Sequence, residues 1–205
     1  AGVPETLRRL GHTGAVDETA RIPAPDGIAA TSVLAIGLGR AEPSAETLRS
    51  AAGTAARALP TASRIAYALP APSAAETRAV LEGAAMGAYR YTAYRTGEVG
   101  PATSEIVAAS SHEDAGAAAV AAGVIADAVV LVRDLVNTPP NDLYPASFVA
   151  RARTAAEGLP LELEEWDAEA LAAGGFGGIP GVGQGSSRPP RLLAVRYRPS
   201  HAPPH

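Results

Sequence analysis

The chain has 205 residues and a formal net charge of −4, and its 17 basic residues are all arginine. The absence of cysteine excludes disulfides and thiolate metal sites and fits a reducing, cytoplasmic location. The absence of lysine excludes a Schiff base and a P-loop lysine. The net negative charge disfavours sequence-independent binding to nucleic acid, so DNA is not expected as a partner.

The first part of the chain alternates strand and helix patterns. Ser73 and Glu76 form an S-x-x-E capping box, which indicates that a helix begins there. Strands that alternate with helices favour a mostly parallel sheet flanked by helices, so we predict an α/β domain over residues 1–110. The predicted strands are residues 19–22, 31–37, 64–69 and 105–109, and the other predicted helices are residues 4–10 and 44–59.

Residues 112–137 are predicted to form the longest helix, with Ser111 as its cap. Its apolar run over residues 115–132 is interrupted by Gly116, Gly123 and Asp127, and we interpret it as a buried helix rather than a membrane span. One face is broad enough to touch two domains, which predicts a connecting helix over residues 111–138. That face carries Val120, Val124, Ala128, Leu131 and Leu135.

The segment 134–145, DLVNTPPNDLYP, separates two blocks of structure. Pro139 and Pro140 cannot continue a helix, and Asn137, Asn141 and Asp142 are interpreted as turn and cap residues. After it we predict a helix at 146–158, a strand at 161–166, a short helix capped by Asp167 and ended by Gly174, and a strand at 191–197. Residues 139–205 therefore look like the incomplete start of a second, βαβ-type domain.

Two segments contain glycines of the kind that occur in phosphate-binding loops. Over residues 174–185 the dinucleotide and P-loop spacings fail, because Pro180 and Gln184 stand where glycine and lysine are required. We interpret this segment as close backbone packing. The Gly37-Leu38-Gly39 turn follows a strand, but Glu42 replaces the third glycine, so a plain strand-to-helix turn is favoured.

Several side chains are of the types that can bind metal ions. His112-Glu113 begins like H-E-x-x-H, but Gly116 occupies the second histidine position. Solvated polar side chains are the simpler interpretation of the four histidines, and an exposed strand face explains the three glutamates. These residues are His12, His112, His201, His205, Glu162, Glu164 and Glu165.

An aromatic and basic cluster follows the second long helix. Tyrosines between arginines can stack nucleic-acid bases. We favour instead tyrosines that pack the helix end against the sheet, with solvated arginines. The cluster consists of Tyr89, Arg90, Tyr91, Tyr94 and Arg95.

Two motifs, NTPPNDLYP at residues 137–145 and GGFGGIPGVGQGSSRPPRLL at residues 174–193, resemble those of the leucyl aminopeptidase family of two-metal exopeptidases. The resemblance implies a macrodomain-like amino-terminal domain, a connecting helix and the opening βα portion of a catalytic domain. It also implies hydrolysis of amino-terminal residues from peptides by two divalent ions of zinc, manganese or magnesium, and a homo-hexamer.

In that family the metals are held by a lysine and by carboxylates in motifs of the TFD-S-GG and NTDAEGR types, and this sequence has neither motif. We therefore predict that residues 1–205 contain no catalytic, metal-binding or cofactor-binding residue. The chain would supply assembly and scaffold, and the remainder of the catalytic domain would come from the same or a second chain. The alternatives are a free-standing macrodomain-like module that binds a nucleotide-like ligand or DNA, and an inactive scaffold relative.

Overall fold

The computed structural model of the protein describes residues 2–198, and the predicted site candidates His201 and His205 lie outside them. The chain divides into two compact units, Ala1–Arg133 and Asp134–His205. The elements in chain order are α1 Val3–Arg9, β1 Thr19–Pro23, β2 Ser32–Ile36, α2 Ala45–Ala58, β3 Arg64–Tyr67, α3 Ala74–Ala88, β4 Glu105–Ala108, α4 Ala115–Asn137, α5 Pro145–Ala156, β5 Leu161–Trp166, α6 Ala168–Ala173, α7 Gly178–Gly183 and β6 Leu192–Tyr197.

The α/β class is confirmed, but the strand pairing of the first unit is mixed. β3 pairs with β4 in parallel, with Arg64 opposite Glu105. β1 pairs with β2 antiparallel, with Thr19 opposite Ile36, so the expectation of a mostly parallel sheet is wrong for this pair. The physical reason is the connection: only residues 24–31 join the two strands, whereas a parallel pair needs a crossover of about a dozen residues or more.

The core of the first unit lies where β2, β3 and β4 pack against α2 and α3. Leu48 and Val80 are fully buried at its centre, and Tyr67 donates its buried hydroxyl to the carbonyl of Ala52 over 3.0 Å. Burial raises the pKa of Tyr67 to about 12. The predicted capping box is confirmed, since Ser73 accepts from the amide of Glu76 and the carboxylate of Glu76 accepts from that of Ser73.

Helices α2 and α3 meet backbone to backbone. A Cβ built on Gly83 would lie 2.0 Å from the carbonyl oxygen of Arg49, and one on Gly87 would lie 2.3 Å from that of Gly53. Only glycine allows so close an approach at these two positions. Neighbouring buried alanines extend the contact along both helices.

Helix α4 differs from its prediction at its start and in its burial. It begins at Ala115, because His112 and Asp114 form a preceding turn in which Ser110, not Ser111, accepts from the amide of His112 over 3.3 Å. The prediction of a buried helix is wrong for these residues, since only Ala118 and Ala122 within it are buried. By length and composition alone α4 could cross a membrane, which is weak evidence for a span.

In the second unit β5 and β6 pair antiparallel, with Leu161 opposite Tyr197. The predicted βαβ arrangement, which needs parallel strands, is therefore wrong here. The predicted short helix is confirmed as α6, where Asp167 accepts from the amide of Ala170 over 2.9 Å and Gly174 ends the helix. Helix α7 was not predicted, because three of its six residues are glycine and glycine disfavours helix interiors.

The segment 134–145 is held by side-chain hydrogen bonds within the second unit. Thr138 is 7% exposed, donates its hydroxyl to the carbonyl of Asp134 over 2.6 Å, and accepts from the guanidinium of Arg151 over 2.9 Å. Ser147 accepts from the amide of Tyr144 over 2.9 Å at the start of α5. The segment is thus a braced turn between α4 and α5.

Candidate functional site

A cavity of about 470 Å³ opens where β2 runs into α2. Gly37 is required there, because a Cβ would lie 1.9 Å from the carbonyl oxygen of Ala15, and Gly39 has a φ of 83°. The lining carries Asp17, Glu42 and Glu46, with Arg40 as its one arginine. This excess of carboxylates does not suit a phosphate group, and the glycines serve a tight strand-to-helix turn.

The glycine-rich segment 174–185 is less closely packed than predicted. Gly175 is its one glycine with a positive φ, at 74°. A Cβ would touch Phe176 from Gly174 and Pro190 from Gly183. A Cβ on any of the other glycines would meet nothing within 4 Å: Gly175, Gly177, Gly178, Gly181 and Gly185. The expectation of close backbone packing within this chain is therefore wrong for most of the segment.

The three glutamates of β5 are paired with arginines. Glu162 lies 3.0 Å from Arg198, and Glu164 lies 2.7 Å from Arg196. Glu165 lies 3.0 Å from Arg153 of α5 and also faces Arg191 of the β6 edge. Because each carboxylate has a cationic partner, these residues form an ion-pair ladder and not a cation site.

The two histidines in the described part of the chain lie apart from any ligand cluster. The side chain of His12 is 13% exposed and its Nδ1 lies 3.6 Å from Glu18, so the expectation of a solvated side chain is wrong for it. His112 accepts from the amide of Asp114. Across residues 2–198 no three histidine, aspartate or glutamate side chains converge to hold a metal ion.

The tyrosine and arginine cluster is a structural brace at the end of α3. Arg133 of α4 stacks its guanidinium 4.0 Å above the ring of Tyr89 and donates to the carbonyl of Met86 over 2.8 Å. Arg90 donates to the carbonyls of Pro60, Gly100 and Pro101, so it is not the solvated side chain that was expected. Tyr91 and Tyr94 face each other with centroids 6.0 Å apart. Arg90 and Arg133 are thereby engaged by the protein itself, whereas Arg95 is exposed as expected.

Sequence reasoning missed the buried carboxylate of Glu82 in α3. Arg49 of α2 donates to it over 3.0 Å, and Arg78 over 2.6 Å. Burial acts to raise the pKa of Glu82, but the hydrogen bonds from Arg78 and Arg49 outweigh it and leave the pKa below its usual value. The i,i+4 spacing of Arg78 and Glu82 was a visible signal, whereas the contact with Arg49 joins residues 33 apart.

The comparisons with known proteins agree on one family. The N-terminal domain of the cytosol aminopeptidase family matches residues 3–98, and the catalytic domain of the same family matches residues 130–205. The probable cytosol aminopeptidase of Leifsonia xyli subsp. xyli is 44% identical over 207 residues, which span 100% of this chain and 41% of the relative. That of Clavibacter michiganensis subsp. michiganensis is 45% identical and is likewise covered over 41% of its length.

Among solved structures, the bottromycin maturation enzyme BotP in complex with Mn is 33% identical, with a TM-score of 0.83 over 98% of this chain and 43% of that one. The chain thus spans about two fifths of the length of the curated relatives that it matches. Both sequence motifs, at residues 137–145 and 174–193, lie within the match to the catalytic domain. The chain belongs to the cytosol aminopeptidase family and corresponds to its amino-terminal part.

Proposed function

We propose that this chain is the amino-terminal portion of an aminopeptidase that hydrolyses amino-terminal residues from peptides, and that it supplies scaffold and assembly surfaces. The observation that carries the proposal is the succession of two domains of one peptidase family along the chain. The buried polar side chains described above stabilise the fold: Glu82 joins two helices, and Thr138 stabilises a turn.

The catalytic groups lie outside these residues in this proposal. A two-metal centre needs several anionic or lysine ligands around each ion, and the sequence has no lysine. Within residues 2–198 no cluster of potential ligands exists either. The residues present do not fit the centre, so we assign them no step of the hydrolysis. The ions, of zinc, manganese or magnesium, would be held by the remainder of the catalytic domain.

The proposed assembly is a cytoplasmic homo-hexamer completed by that remainder. The names of the relatives support the cytosolic location, and the uncovered apolar face of α4 supports the need for further protein. A binding module for a nucleotide-like ligand is not favoured, because the cavity between β2 and α2 carries three carboxylates against one arginine.

A chimera tests the proposal directly. Residues 1–205 are fused to the carboxyl-terminal three fifths of the Leifsonia xyli relative, and release of p-nitroaniline from leucyl p-nitroanilide is measured with added Mn²⁺. We expect a soluble, active chimera and no activity from residues 1–205 alone. Activity in the isolated 205-residue chain, or a folded chimera without activity, would overturn the proposal.

A further inference from the structure

Helix α4 exposes an apolar stripe to solvent. Val120 is 71% exposed and Val124 is 64% exposed, and the exposed Leu131 continues the line about two helical turns further along. The buried side chains Ala118 and Ala122 lie on another face. We define the α4 stripe as Ala117, Val120, Val124, Ala128 and Leu131.

The spacing of the α4 stripe is that of a helix-packing seam. Its members follow one another at intervals of three and four residues, which places them on one side of a 3.6-residue helix. At 1.5 Å per residue the stripe is about 21 Å long. Soluble proteins rarely leave so continuous an apolar surface uncovered, so a partner surface is required.

The part of the relatives that this chain does not match indicates which surface covers the α4 stripe. This chain covers 41% of the length of these curated relatives, so about three fifths of each relative is not matched by it. The catalytic-domain match begins at residue 130, within α4 itself. The stripe therefore lies on the helix in which the match to the catalytic domain begins.

The charge on α4 argues against a membrane and against a second copy of this chain as the surface that covers the stripe. Asp127 is exposed beside the stripe and near its middle, and it is the one charged residue between 115 and 132. A carboxylate at the centre of a membrane span is costly. In a two-fold pairing of stripes centred on Val124, the two Asp127 carboxylates would lie about 9 Å apart along the axis and repel each other.

We propose that the α4 stripe is the docking surface for the remainder of the catalytic domain, through an apolar segment that carries a basic side chain near Asp127. This inference rests on the proposed function, because it names the surface through which the two portions assemble. It adds that α4 is buried only in the completed enzyme.

The absence of cysteine allows a direct test by thiol labelling. Val124→Cys is introduced into the 205-residue chain and into the chimera, whose relative-derived portion has its own cysteines replaced by alanine. The rate of modification by a maleimide is measured in both. Leu10→Cys is the matched control, since Leu10 is 60% exposed and lies outside α4.

We expect labelling at position 124 to slow at least about tenfold in the chimera, with an unchanged rate at position 10. Equal labelling of position 124 in an active chimera would overturn this inference and leave the proposed function intact. An inactive chimera would instead count against the proposed function.

Two measurements on the isolated chain separate the other occupants. A concentration-dependent dimer in sedimentation that protects position 124 would assign the stripe to a second copy. Protection by vesicles of phosphatidylcholine and phosphatidylglycerol would assign it to a lipid surface. Either result would overturn the proposal, and a monomer that ignores vesicles would support it.

Discussion

The carboxylate of Glu82 lies 3.0 Å from the guanidinium of Arg49, and this pair joins α3 to α2. Glu82 is 7% exposed along its side chain, so its charge depends on the two arginines that bond it. The same two helices touch through glycine backbones. A close glycine contact and an ion pair thus hold the interface between α2 and α3, and each can be tested by a separate substitution.

The first prediction concerns Glu82→Gln in the 205-residue chain. The substitution removes the charge from hydrogen bonds with Arg78 and Arg49, and we expect a loss of about 2 kcal/mol of unfolding free energy. Urea denaturation measures it. Glu46→Gln is the control: Glu46 also pairs with Arg49 but is 77% exposed, so it should change stability by less than about 0.5 kcal/mol. Equal effects of the two substitutions would contradict the special role of burial.

The second prediction concerns pH. The pKa of Glu82 is lower in the folded chain than its ordinary value of 4.5, so the folded state holds fewer protons than the unfolded state in the window below that value. The stabilisation is complete above pH 4.5 and is lost as the pH falls through the folded pKa. We expect the stability difference between wild type and Glu82→Gln to shrink from pH 6 to pH 3 in urea titrations. A difference independent of pH would count against the ion pairs.

The third prediction concerns the glycines of the α2–α3 contact. In Gly83→Ala the new Cβ meets the Arg49 carbonyl, so the helices must separate, at a cost of about 1–3 kcal/mol. Gly123→Ala is the matched control in a helix interior, where a Cβ meets nothing within 4 Å. There we expect stabilisation of about 0.5–1 kcal/mol, from helix propensity alone. Thermal unfolding of both variants decides, and the same sign for both would refute the argument.

The fourth prediction concerns Thr138. In Thr138→Val the shape is kept, but the two hydrogen bonds of the hydroxyl, to the carbonyl of Asp134 and from the guanidinium of Arg151, are lost. We expect a loss of about 1–2 kcal/mol. Thr154→Val, at an exposed position of α5, should be nearly neutral. Hydrogen exchange of amides in residues 134–145 should also quicken in Thr138→Val, whereas unchanged exchange would mean that the turn does not depend on this side chain.

The local chemistry of the sequence predicted much of the fold. The Leu/Glu alternation predicted β5 with the bounds at which it occurs, because period-two patterns have one structural solution. The Ser73 capping box and the Asp167 cap located the starts of α3 and α6, because each cap acts within three residues.

The misses arise where partners are distant or outside the chain. The burial of Glu82 depends on Arg49, which no local pattern connects with it. Helix α4 has the composition of a buried helix, yet these residues leave one face uncovered. The glycines of segment 174–185 were expected to touch neighbouring backbone, and most meet open space. That the catalytic residues lie outside the chain stays a prediction.

The glycine contact between α2 and α3 has a consequence for conformational entropy. Gly53, Gly83 and Gly87 have no side-chain torsions, and the buried alanines around them have none that folding restricts. The glycine and alanine contacts of this interface therefore form without restricting side-chain rotamers, unlike the Arg49–Glu82 pair beside them. We expect this helix pair to form early in folding, as the contact around which the slower, non-local pairing of β3 with β4 is organised.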